Sequence, residues 1–141
     1  MAATGQRIRV YLHWFQILDT LDPSYQEKGE FRFTAKVTVD GQVHEHHFPK
    51  EGHYSISDHP AWNKMPMQSV LFEGVATGEL AVELNGEEFD FLSDSDHLEP
   101  YRRSFTGDPV TWIGRYCPGD EAPQDPENMG NWRVCYEIQK G

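Results

Sequence analysis

The chain has 141 residues, with 23 Asp and Glu against 12 Lys and Arg for a formal net charge of -11. That length is one domain's worth, and 8 Phe, 6 Tyr and 4 Trp supply large side chains for a core, so a two-domain enzyme is not expected. Between Lys64 and Arg102 there is no basic side chain but nine acids, a stretch that repels phosphate backbones and anionic head groups and has cations as its natural counterpart.

No run approaches the ~18 apolar residues of a membrane span. Met1 to Arg7 lacks the charged-then-apolar pattern of a leader peptide. The sequence therefore points to a soluble, cytoplasmic protein that does not bind nucleic acid. Two cysteines, Cys117 and Cys135, are too few for a disulfide framework or a four-thiolate zinc site, and a single bridge and two separate buried thiols both stay open.

The dominant pattern is alternation of apolar with polar residues, broken at short intervals by turn chemistry. Ile8, Val10, Leu12 and Trp14 mark a strand over 7–18, and 19–29 follows as a polar loop. Phe31, Phe33, Ala35, Val37 and Val39 mark the second strand. Asp40-Gly41 suits a type I′ turn into a third over 42–48, placing residue 37 opposite 44 and 35 opposite 46. After a break at 49–52 come a short strand over 53–57, a loop over 58–66 and a strand over 67–76.

Leu80, Val82 and Leu84 then lead into Asn85-Gly86, which has the chemistry of a second hairpin turn, with 87–92 as the returning strand. One helical turn is expected over 96–103, and strands over 110–116 and 131–139 close the chain, separated by an acidic, proline-containing excursion over 117–129. No segment sustains a helical apolar period. The expected fold is a single-domain antiparallel β-sandwich of about eight strands covering 1–141. Trp14, Trp112 and Trp132 fall in phase with apolar neighbours and are expected in the core, whereas Trp62 lies in a loop.

In the Asn85-Gly86 register, Leu80, Val82, Leu84, Phe89 and Phe91 share one face, and Glu83 stands directly across from Glu88 on the other. Like charges so opposed are unfavourable by ~0.2 to 1 kcal/mol. The hairpin runs into Asp90, Asp94 and Asp96, and carboxylates converging on a loop suit calcium, which takes six to eight oxygens. No EF-hand loop occurs.

The spacing resembles that of C2 domains, calcium-dependent β-sandwiches of about this length. Their third loop carries Asp-x-Asp, a further Asp six positions on and an aliphatic residue two beyond, and Glu88-x-Asp90, Asp96 and Leu98 stand at those places. Their first loop supplies more aspartates upstream, where this chain has Asp19 and Asp22. Glu88 replaces the usual Asp, Glu99 stands where glycine is expected, and Asp22-Pro23-Ser24-Tyr25 only echoes the first-loop signature. The resemblance implies a C2-like sandwich, non-enzymatic, that binds calcium through Asp19, Asp22, Glu88, Asp90, Asp94 and Asp96. Through calcium it would contact an anionic lipid, a protein partner or a second copy.

Five of seven histidines, His44, His46, His47, His53 and His59, fall close together, and His44 with His46 can chelate a transition metal from one strand face. His44-x-His46 with Glu51, followed by His59, resembles the metal motifs of cupins and implies a small metalloprotein or metalloenzyme as the alternative reading. The spacing between the two motifs is shorter than in that family. A metal-free structural subunit is the third. No nucleophile elbow, P-loop, dinucleotide fingerprint or zinc-protease helix occurs.

Overall fold

The computed structural model describes residues 5–17, 28–49, 54–57, 64–89, 96–117, 127 and 132–141. Among these, ten strands and one short 3-10 helix form in the order β1 (Gln6–Ile17), β2 (Lys28–Val39), β3 (Gln42–Phe48), β4 (Tyr54–Ser57), β5 (Lys64–Ala76), β6 (Glu79–Phe89), β7 (Asp96–His97), β8 (Tyr101–Thr106), the helix Pro109–Trp112, β9 (Gly114–Tyr116) and β10 (Trp132–Lys140). All strand pairs are antiparallel.

One sheet runs β5-β1-β10-β9 and the other β3-β2-β6-β7, with β4 on β2 and β8 on β6. Since β3 and β4 pair successive parts of β2, and β8 and β7 successive parts of β6, each sheet is four strands wide. This is the β-sandwich expected from the alternation.

Inward residues of the two sheets interdigitate: Phe15 and Trp132 of the first meet Phe33 of the second, with centroids 4.5 Å (Phe15–Phe33) and 5.8 Å (Phe33–Trp132) apart. Ile8, Val10, Leu12, Val37, Val82, Leu84, Val134 and Ile138 are fully buried around them. Burial of such a side chain stabilises by about 1.5–3 kcal/mol.

Asp40 and Gly41 both have positive φ, 49° and 87°, as a type I′ turn requires. The register pairs Val37 with His44 and Ala35 with His46, as expected. The Asp40 carboxylate then reaches the β5–β6 turn, accepting from the backbone amides of Thr77 (2.8 Å), Gly78 (3.0 Å) and Glu79 (3.0 Å). Slight local desolvation in the turn works against its ionisation, but those three amides prevail and hold the carboxyl below the usual Asp range.

Several expectations are corrected. Asn85-Gly86 is not a turn: β6 runs straight through it, with Gly86 paired to Phe33 and Asn85 to Thr34 of β2. The glycine serves close packing, because a Cβ there would collide with Leu98 Cδ1 and lie 3.1 Å from Phe33 Cδ1. Glu83 consequently does not face Glu88; it stands between Lys36 and Arg102, and its carboxylate is 3.1 Å from Arg102 Nη1. Residues 96–103 hold β7 and the start of β8, both on β6, in place of a helical turn.

The 110–116 segment is half 3-10 helix, begun by Asp108, whose carboxylate accepts from Val110 N, and half β9. Trp14 is only half-buried, because the β1 register shifts between Leu12 and Trp14 against both neighbours and brings Phe15 to the core. Trp112 and Trp132 are buried as expected, and Phe91 and Trp62 lie outside the described residues. Cys117 and Cys135 are bridged, joining the end of β9 to β10.

Candidate functional site

The strand ends decide which connections meet. In the first sheet Ile17 pairs with Trp132 and Gln16 with Lys64. In the second, Lys28 pairs with Ser57, Glu30 with Phe89 and Glu88 with Asp96. The Phe15–Phe33–Trp132 contact sits just inside these pairs and joins the two sets. The strands bracketing 18–27, 58–63 and 90–95 therefore terminate at one end of the sandwich, opposite the Asp40 turn, where β10 also begins, whereas β9 stops farther in, at Tyr116 opposite Tyr136.

Of the six carboxylates expected to ligate calcium, Glu88 and Asp96 stand directly opposite each other across β6 and β7. Asp19, Asp22, Asp90 and Asp94 lie outside the described residues. In sequence, 18–27, 58–63, 90–95 and 118–126 together carry nine Asp and Glu and no Lys or Arg. Among the described residues no three His, Cys, Asp or Glu side chains are grouped to hold a metal.

A buried polar cluster missed by sequence reasoning links the sheets along the β8 and β9 edges. Glu127, 4% exposed, accepts from the Tyr101 hydroxyl at 2.8 Å and from Arg103 Nη1 at 3.1 and 3.2 Å. The Tyr101 and Tyr136 hydroxyls share a 2.7 Å hydrogen bond. Arg103 lies over the Tyr116 ring, 4.7 Å from its centroid.

Burial pushes both phenols above their usual range, and the Glu127 carboxylate adds to this, so each remains a neutral hydrogen-bonding group. For Arg103, burial disfavours the charge but Glu127 more than restores it. With each of these polar groups paired to another, the cluster's role is to fasten the two sheets. Alternation of Tyr101 with Arg103 was the only signal available, and Glu127 sits in a segment whose composition reads as loop.

The histidine pair occupies the opposite edge. His44 and His46 do project from one face of β3, as expected, but it is the inner face, closing against β5 of the other sheet. His46 Nε2 is 2.7 Å from the Leu71 carbonyl oxygen, and the His44 ring packs on Phe72 at 5.0 Å. His47 extends the other way to Glu45 at 3.0 Å. Glu51, His53 and His59 lie outside the described residues. On the outer face of the first sheet, His13 Nε2 meets Glu137 at 2.9 Å, a contact that holds the Glu137 carboxyl below its usual range.

No family model matches the chain, and no curated protein matches it. Among solved structures it is similar to human GIVD cytosolic phospholipase A2, determined in complex with methyl gamma-linolenyl fluorophosphonate, with a TM-score of 0.54 and 11% identity. The likeness takes in 99% of this chain and 17% of that one, so it concerns a segment of the phospholipase and shows the fold alone. The chain is an antiparallel β-sandwich shared with part of that larger protein.

Proposed function

We propose that the chain is a non-enzymatic binding or assembly module, C2-like, that works with calcium at one end of the sandwich. The observation that carries this reading is the common exit: the strands flanking the Asp19/Asp22 segment and those flanking the Asp90/Asp94 segment end together, with Glu88 opposite Asp96. Asp19, Asp22, Glu88, Asp90, Asp94 and Asp96 offer carboxylate oxygens only, the donor set of a hard cation. Bound calcium supplies positive charge. Without it these residues repel an anionic lipid head group or an acidic protein; the sandwich itself serves as a rigid support that fixes the loop bases.

The test is a calcium titration followed by thermal melting. A ligand that binds only the folded state stabilises it by about 2.7 kcal/mol at a hundredfold excess over Kd, so the melting temperature is expected to rise with calcium. No rise at millimolar calcium overturns the reading. The transition-metal alternative predicts instead that purified protein retains zinc, iron or copper and loses it on His44→Ala with His46→Ala. The engagement of His46 with Leu71 weighs against it.

A further inference from the structure

Alternation gives the two central strands of the second sheet outer faces of opposite charge. Phe31, Phe33, Ala35, Val37 and Val39 of β2 and Leu80, Val82 and Leu84 of β6 are buried. Arg32, Thr34, Lys36 and Thr38 therefore face outward, each directly beside its register partner Glu87, Asn85, Glu83 or Ala81. The charged row reaches both edges: Glu45, Lys36, Glu83 and Arg102 stand side by side across β3, β2, β6 and β8 with alternating sign. Among the described residues Glu83 pairs with Arg102 and Glu45 with His47, whereas Arg32, Lys36 and Glu87 enter no ion pair. The neighbouring row is short, Thr38, Ala81 and Ser104 lining a groove, with Val43 56% exposed at its end.

We propose that this face docks on the same face of a second copy, about a two-fold axis running between β2 and β6. The rotation exchanges the two strands. Lys36 then meets the second copy's Glu83, Arg32 its Glu87, Thr34 its Asn85 and Thr38 its Ala81, and each contact occurs twice. At the edges Glu45 meets the second copy's Arg102. A row of alternating sign is its own complement when reversed, so charge complementarity selects a copy of this chain as the occupant. Facing sheets lie ~10 Å apart, a gap that Lys and Glu side chains span from both sides. The dimer goes beyond the calcium reading and needs no metal.

Sedimentation velocity of the full chain in EDTA tests it, at low ionic strength and at ~1 M salt, where the screening length falls to ~3 Å. The expected result is a monomer–dimer equilibrium at low salt that high salt shifts to monomer, with no larger species, since a two-fold contact closes on itself. Lys36→Glu and Glu83→Lys are each monomeric, mixing them gives a heterodimer, and the chain carrying both reversals dimerises again. Ala81→Trp keeps every charge but fills the groove, and it too is monomeric. Arg9→Ala, on the outer face of the other sheet, leaves the equilibrium unchanged. A thermal melt of each variant reports its folding; where a reversal unfolds the chain, Lys36→Gln and Glu83→Gln take its place, each weakening the dimer.

A monomer at millimolar protein in low salt overturns the proposal. So does folded Ala81→Trp that still dimerises, a mixture of the two folded reversals that stays monomeric, or growth beyond the dimer. EDTA keeps these outcomes separate from the calcium melting test, so either reading can fail alone.

Discussion

Leu98 lies over Gly86, its amide donating to the Gly86 carbonyl oxygen at 2.8 Å while its side chain fills the space a Cβ would need. Gly86→Ala is therefore expected to destabilise the fold by about 1–3 kcal/mol, the usual range for overpacking a filled site. Urea denaturation measures this. A change within error of zero would mean that Leu98 and Phe33 move aside freely.

The Glu127 carboxylate is the shared acceptor of Tyr101 and Arg103. Glu127→Ala leaves the phenol and guanidinium without it and is expected to destabilise by about 1–3 kcal/mol. Glu127→Gln retains a carbonyl acceptor and is expected to lose less. A double-mutant cycle with Arg103→Ala reads the coupling between the two, and strict additivity would contradict the contact.

Asp40 carries a pH signature. Its folded carboxyl is held below the unfolded value of ~3.9, so its contribution is fully present above that value and is lost as pH falls through the lower, folded pKa. Melting temperature is accordingly expected to drop more steeply below pH ~4 in the native protein than in Asp40→Asn, which tolerates the same left-handed backbone but does not titrate. Parallel slopes would remove the role assigned to the three amides. Asp40 is solvent-exposed, so the difference is expected to be small.

The strands that alternation marks most plainly were legible in the sequence: β1, β2, β3 and β10 emerged with nearly the expected bounds, and the Asp40-Gly41 register was right residue for residue. Asn85-Gly86 carries the same local chemistry and yet continues a strand. A dipeptide's turn preference is a local term, whereas β6 gains pairing with β2 from Leu80 to Phe89 and with β7 and β8 on its other side. That competition is invisible without knowing the sheet order.

Trp14 was misassigned for a different reason. One inserted residue in β1 reverses the inward phase from Leu12 to Phe15, and a bulge has no composition of its own. The Tyr101–Glu127–Arg103 cluster joins residues 24 and 26 positions apart through a segment with no periodicity, so only the folded chain reveals it. The pairing of Glu88 with Asp96 was not legible in the sequence, which set Glu88 across from Glu83 and Asp96 in a loop, because the β6–β7 register depends on the sheet order.

The broken edges of the second sheet also bear on how copies of the chain can meet. One border is divided between β3 and β4 and the other between β7 and β8, while the first sheet ends at the three-residue β9 on one side and at β5, with its shifted register and Pro66, on the other. A long, straight row of unpaired amides is what seeds intermolecular strand addition and fibre growth. Among the described residues such a row is interrupted on every border, which disfavours polymerisation through the backbone and leaves recognition to side chains on the faces and ends.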